Sequence, residues 1–138
     1  MSGGAGREAA VAERRAGAPA ASAELARRIA AIVDDKKGER IVALDVRELV
    51  SYTDFLVIAT ARNERQAKAI ADEVRLQLKR GSDRLPARAE GETEARWVLL
   101  DYLDCVLHVQ VPEMRDRYRL ERLWGEAPRL ELSLEGAE

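Results

Sequence analysis

WVLLDYLDCVLHVQVPEMRDRYRLERLW, Trp97 to Trp124, holds both tryptophans, two of the three tyrosines, and the single histidine and cysteine of the chain. It opens with two apolar runs, Arg96 to Tyr102 and Asp104 to Val111, separated by almost nothing. That spacing allows only a tight antiparallel hairpin. Pro112 suits the first turn of a closing helix, from about Glu113 to Leu123, because the N–H it lacks is one the helix leaves unused. In a chain with 4% aromatic residues, such a concentration marks either the core of a sheet or a surface that binds something.

Upstream, IVALDV (Ile41 to Val46) and DFLVIATA (Asp54 to Ala61) are apolar nearly throughout. They read as strands covered on both faces. Asn63 caps a helix running to about Arg80, with Ala67, Ile70, Val74 and Leu78 as its buried stripe and Gly81 as its stop. An earlier helix is predicted from Ser22 as N-cap, with Glu24 in its first turn and Leu25, Ile29, Ile32 and Val33 at helical spacing. It ends near Lys36 and Lys37, with Gly38 beyond. Leu85 to Glu90 is a weak edge strand, since it contains Pro86, and Gly91 to Glu94 is a turn. The order αββαβββα predicts an α/β fold of mixed α+β character, a five-stranded mixed sheet flanked by helices. Residues 1–21 are Gly/Ala-rich and lack Leu, Ile and aromatics, so a disordered tail is expected there. The residues after Pro128, 129–138, are expected to be loose. The ordered domain is then 22–128.

The chain has 138 residues, which fits one domain. Charged residues make up 35%, yet the formal net charge is -2. Wrapping bare nucleic acid needs clustered Lys and Arg against phosphates, so a protein surface is the expected partner even near RNA. A single cysteine rules out an internal disulfide, and Cys105, set in an apolar run, reads as a buried thiol. No apolar run approaches the ~18 residues that span a membrane, and an apolar signal core is missing. A cytoplasmic protein with no membrane contact is expected.

By period two, Trp97, Leu99 and Asp101 share one face of their strand, while Val98, Leu100 and Tyr102 share the other. An unpaired aspartate is costly in a core, so the Trp97/Asp101 face must be wet or hydrogen-bonded. A large aromatic beside an acid resembles an interface anchor; the alternative is a core tryptophan with a turn-capping aspartate. Asp101 and Asp104 either close the hairpin turn or, with Asp45 if its strand lies alongside, hold a divalent metal. Gly81 and Ser82 echo a nucleotidyltransferase signature, but Gly81 ends a helix where the signature needs a helix start. No phosphate-cradling glycine loop is present. His108, mid-strand beside Val106 and Gln110, reads as a structural residue or a contact residue. Ser51, Thr53 and Asp54 read as a polar turn, and Arg65 to Lys79 as a solvated helix face. Tyr118, Leu120, Leu123 and Trp124 are too many apolar groups for one stripe; some should pack on the sheet and others reach a partner.

Several motifs together resemble the RsfS/Iojap family of ribosomal silencing factors. They are ALDV (Ala43 to Val46), S-x-T-D-F (Ser51 to Phe55) with IAT (Ile58 to Thr60), RQAKAIADEV (Arg65 to Val74), and EG (Glu90, Gly91). W-V-L-L-D-Y-x-D-x-V-x-H-V (Trp97 to Val109) and R-x-x-Y-x-L-E-x-L-W (Arg115 to Trp124) complete the set. The match runs from about residue 23 to 128. Leu103 departs from it, since the family usually has glycine there. The resemblance implies a nucleotidyltransferase-like fold that has lost its chemistry, with no enzyme activity, cofactor or metal. It implies a translational repressor that binds the large ribosomal subunit through ribosomal protein fourteen, with little direct nucleic-acid contact. There it would block subunit joining when nutrients are scarce. The chain would be a monomer when bound, with a homodimer as an option when free. Partner-binding candidates on the hairpin are Trp97, Leu99, Leu100, Asp101, Tyr102, Asp104 and His108. Tyr118, Leu123 and Trp124 extend the set onto the closing helix. The competing expectation is a metal-dependent nucleotidyltransferase-like enzyme built on Asp45, Asp101 and Asp104.

Overall fold

The structure, a computed structural model, describes residues 19–138. In chain order the elements are α1 (Pro19–Asp35), β1 (Glu39–Asp45), β2 (Phe55–Thr60), α2 (Glu64–Ser82), β3 (Arg88–Glu90), β4 (Trp97–Asp101) and β5 (Cys105–Gln110). Two short helices follow, α3 (Pro112–Tyr118) and α4 (Leu120–Leu123). The strands form one five-stranded mixed sheet, as the sequence pattern predicts, in the order β1-β2-β5-β4-β3. Among the five described strands, only the β2–β5 pair is parallel. Every residue of β2 is buried, because it is a central strand covered on two faces.

α1 and α2 cover the first face. Their stripes (Leu25, Ile29, Val33; Ile70, Val74, Leu78) meet Phe55, Val57, Leu100, Leu107 and Val109 of the sheet. A smaller cluster lies on the second face, where Val42, Leu44, Leu56, Ile58 and Val106 are joined by Leu99, Leu120 and Trp124. α1 begins at Pro19, ahead of the expected cap. Ser22 lies inside the helix, and its buried hydroxyl donates to Asp54 Oδ2 at 2.6 Å. Of the expected tail, residues 1–18 lie outside the described residues and 19–21 are helical. Asn63 caps α2 as expected, accepting from Gln66 N–H at 2.9 Å. The helix runs through Gly81 to Ser82. Asp83 (φ 52°, ψ 36°) takes the left-handed cap, bonding back to Leu78 and Lys79. Aspartate visits that region more readily than most residues.

Two further departures matter for the site. The closing helix is not continuous: Arg119 (φ 45°, ψ 57°) separates α3 from α4. The residues after Pro128 are not loose. Asp45 N–H bonds Pro128 O at 2.8 Å, Leu130 N–H bonds Ala43 O at 2.8 Å, Ile41 N–H bonds Gly136 O at 2.8 Å and Glu138 N–H bonds Ile41 O at 2.9 Å. Leu130, Leu132 and Leu134 pack against the first-face core. Their alternation with polar residues is the signal that a loose-tail reading passes over.

The β4–β5 hairpin turns at Leu103 (φ 72°). Asp104 N–H bonds Tyr102 O at 2.9 Å and Tyr102 N–H bonds Cys105 O at 2.9 Å, a three-residue γ-turn of the rare, strained hand. Around it, Asp101 Oδ1 accepts from Leu103 N–H at 2.8 Å. The S-x-T-D turn clamps the same loop. Thr53 Oγ1 donates to Leu103 O at 2.8 Å, and the Asp54 and Phe55 amides both bond Asp104 O at 3.1 Å. Glycine suits this position because it carries no Cβ penalty at positive φ. Leu103→Gly is therefore expected to stabilise the chain by about 0.5–1 kcal/mol, strain relief outweighing the added unfolded-state entropy. Urea unfolding checks this; a loss of stability would show that the Leu103 side chain contributes more by packing than its backbone costs.

Candidate protein-docking surface

The second face is only partly covered. β4 and β5 bring Trp97, Leu99 and His108 onto it, with Trp97 opposite Gln110 and Leu99 opposite His108. The Trp97 indole N–H donates to His108 Nδ1 at 2.9 Å. Accepting at Nδ1 requires a neutral imidazole with its proton on Nε2. Burial agrees: it pulls the His108 pKa down to about 4, against a small opposing pull from Asp101. On the other side of Trp97, the Tyr118 ring lies with centroids 4.9 Å apart, tilted by 50°. His108, Trp97 and Tyr118 thus form one aromatic row, with spacings that favour tilted rings. Tyr118 is 50% exposed.

The turn before β4 sets the tryptophan. Gly91 has φ 79°, and a Cβ there would lie 1.9 Å from Trp97 O, so only glycine fits. This accounts for the EG pair in the sequence. Glu90, Gly91, Trp97 and Leu99 line an open depression of about 300 Å³. Apolar and acidic groups therefore meet beside the aromatic row.

Tyr118 owes its position to Arg115, which is fully buried. Arg115 donates to Thr60 Oγ1 at 2.9 Å and through Nε to Glu121 Oε2 at 2.9 Å; a second nitrogen lies 2.9 Å from the same carboxylate. Burial lowers the Arg115 pKa while Glu121 raises it. Burial also raises the Glu121 carboxyl, but its backbone hydrogen bond and Arg115 overcome this and hold it below the ordinary value. Arg115 and Glu121 are too far apart in sequence to face each other on one straight helix. The left-handed Arg119 folds α4 back so that they meet. Tyr118 is left on the outer side of that bend, and Leu123 is 68% exposed. Neither the pair nor the bend is evident from apolar periodicity alone. The spacing of arginine and glutamate in R-x-x-Y-x-L-E was the available signal.

The sequence-derived candidates divide by burial. Trp97, Leu99, His108 and Trp124 are half-buried, and Tyr118 and Leu123 exposed. Leu123 and Trp124 line a second depression with Leu49. Leu100 and Tyr102 are core residues beneath the helices, since strand alternation turns them inward. Asp101 and Asp104 are buried too. The first closes the turn, and the second lies 3.5 Å from Arg84. These four are not on the surface. The carboxylates of the enzyme alternative are not brought together either. Asp45 is held by Arg47 at 2.7 Å on β1, three strand steps from β4, or about 14 Å at ordinary strand spacing. Among the described residues, no group of three or more His, Cys, Asp or Glu is placed to hold a metal.

Two outcomes follow from this geometry. Arg115→Ala is expected to cost about 3–5 kcal/mol, because it strands Glu121 and opens the bend; thermal or urea unfolding reads it. In the second, His108 is harder to protonate in the native state than in the unfolded chain. The unfolded chain therefore binds more protons between pH 6.5 and about 4, and stability falls as pH falls through that window. The loss should be roughly 1–3 kcal/mol and should largely vanish in His108→Phe. A wild-type unfolding profile that is flat across the window would contradict it.

Comparison with known proteins places this geometry in a family. Residues 19–138 match the family described as ribosomal silencing factor during starvation, RsfS. The match extends past the expected boundary at residue 128 and takes in the docked segment. The chain is 42% identical over 100 residues to a ribosomal silencing factor RsfS of Halalkalibacterium halodurans, covering 72% of this chain and 85% of that protein. It is 40% identical over 103 residues to the protein of the same name from Bacillus subtilis, covering 75% and 86%. A crystal structure of a Chromobacterium violaceum protein matches with a TM-score of 0.71 at 33% identity, covering 82% of this chain and 92% of that one. With family match, relatives and fold in agreement, the chain belongs to the ribosomal silencing factor (RsfS) family.

Proposed function

We propose that this protein is a non-catalytic translational repressor. It binds the large ribosomal subunit through ribosomal protein fourteen and sterically prevents the small subunit from joining. Family membership supports a ribosome-associated silencing role in the cytoplasm. The observation that carries the docking reading is the Trp97–Tyr118 stack on the uncovered part of the second face. Aromatic groups at the centre of an apolar patch, ringed by polar ones, are where binding energy concentrates at interfaces. Tyr118 stacks on Trp97, and the depression beside that indole is lined by Leu99 and Glu90. The net charge of -2 favours a protein handle over bare RNA. The contact set is therefore Trp97, Leu99 and Tyr118, extended by His108, Leu123 and Trp124, and the bound form is a monomer.

The test is subunit association followed by light scattering. Purified protein at micromolar concentration is expected to lower association; no change would refute the repressor. Trp97→Ala should weaken binding to isolated large subunits by about 2 kcal/mol, near thirtyfold. Because Trp97 also bonds His108, Tyr118→Ala is the cleaner companion: its exposed ring can be lost with little cost to the fold. If both variants bind as wild type does, the docking surface lies elsewhere.

A further inference from the structure

We infer that the free edge of β3 takes up an extended segment of the docking partner as an added strand, reading an apolar side chain on one face of the sheet and a basic one on the other. The inference rests on the docking reading above and gives it a mode of contact. The sheet has two outer strands, and only one is open. The outer side of β1 is occupied, since Ile41, Ala43 and Asp45 bond the segment from Pro128 to Glu138. Among the described residues no strand lies beyond β3. Hydrogen bonding across β4 shows what that edge offers. Arg96 O accepts from Val111 N–H at 3.0 Å, and Tyr102 N–H donates to Cys105 O at 2.9 Å. The even-numbered residues of β4 therefore bond β5. The odd-numbered ones, Leu99 and Asp101, bond β3 through their register partners Glu90 and Arg88, because the bonds of an antiparallel strand alternate between its two sides. Ala89, between that pair, turns its N–H and C=O outward.

A depression flanks this edge on each face. On the second face it is the one formed by Glu90, Gly91, Trp97 and Leu99, continuous with the aromatic row. On the first face, the flank of α2 and the loop that leads into β3 leave another of about 320 Å³, lined by Asp72, Arg75, Leu76, Lys79 and Leu85. Leu85 is 67% exposed and Leu76 41%. Arg75 fixes the wall of this groove: its Nη1 lies 2.7 Å from both carboxylate oxygens of Glu92, in the turn after β3. The Ala89 methyl points to the same side, packed against the first-face core.

The two faces set the chemistry of the added segment. Neighbouring residues of a strand point to opposite faces. The residue opposite Ala89 points to the first face, where the exposed leucines favour an apolar group. The residue opposite Glu90 points to the second face, beside a carboxylate and the Trp97 indole. A lysine or arginine fits there, its stem along Leu99 and Trp97 and its charge against Glu90. The present partner of Glu90 is Arg88 at 3.3 Å; both groups are largely exposed, so that pair yields readily. Glu94, exposed in the same turn, adds to the negative rim. An edge of three residues is too short to recruit a strand unaided. The aromatic row anchors the partner, while the edge adds backbone bonds and selects side chains.

The experiment follows the full chain binding to isolated large subunits. Hydrogen exchange read by mass spectrometry is expected to show residues 85–91 of the wild type gaining protection on binding. Ala89→Pro should weaken binding about tenfold, the loss of one backbone bond at the interface. Its fold should persist, because the lost N–H faces away from β4. Leu76→Glu with Leu85→Glu alters only exposed side chains and should also weaken binding roughly tenfold. Tyr118→Ala, run alongside, separates two failures. If Tyr118→Ala weakens binding while residues 85–91 stay unprotected, the docking surface stands and the edge inference is overturned. A folded Ala89→Pro or a leucine variant that binds as wild type does overturns it equally. If Tyr118→Ala and Trp97→Ala both bind as wild type does, the docking reading itself fails and the edge inference with it. Should Ala89→Pro not fold, protection of the wild type together with the leucine variant decides: both effects are required, and the lack of either overturns the inference.

Discussion

A guanidinium without solvent contact must be neutralised within the protein, and that constraint on Arg115 organises the region around it. Burying the charge costs several kcal/mol unless partners surround it. Glu121 and Thr60 supply those partners at hydrogen-bonding distance. Glu121 can reach it only if the chain reverses after Tyr118, so the ion pair holds Arg119 in a backbone region that an arginine would otherwise avoid. Thr60 stands at the end of the parallel strand β2, which ties the bend to the centre of the sheet. Tyr118 is consequently held over Trp97 on a rigid support. A fluctuating terminal helix would pay for ordering that ring each time it bound.

The acids of this chain serve geometry. Asp101 holds a strained hairpin closed, Asp54 fastens α1 to the turn before β2, and Asp45 is engaged by Arg47. Asp101 and Asp45 are used within their own loops, and Asp54 reaches across to Ser22 of α1. A metal site on such a sheet would need them on neighbouring strands and pointing the same way. The aromatic row, half-buried at Trp97 and His108 and exposed at Tyr118, and the closed carboxylates therefore support one reading: a surface to be recognised.

Much of this was legible in the sequence. Continuous apolar runs gave β1 and β2 as strands covered on both faces, and alternation separated the Trp97 face from the Leu100 face. Asn63 marked its helix because a side-chain oxygen meets an unpaired N–H there in any context. Other features rest on contacts between distant residues, which local pattern cannot carry. Ser22 looked like a cap and proved to be the donor to Asp54. Leu100 and Tyr102 were contact candidates with the hairpin motif of the family resemblance, yet the sheet turns them inward, as their place on the face opposite Trp97 had implied. The segment after Pro128 looked loose because its leucines are few and spaced; β1's open edge is what orders it. Leu103 was visible as a departure from the family, but its meaning required the positive φ at that position.

The central claim is that the Tyr118 side of the second face meets a protein on the large ribosomal subunit. A photoreactive side chain placed at position 118 tests it most directly. With isolated large subunits, the expected result is one dominant cross-link, to ribosomal protein fourteen, which an excess of unlabelled wild-type protein competes away. Cross-links to ribosomal RNA or to other proteins, or none from a protein that still sediments with the subunit, would contradict the account.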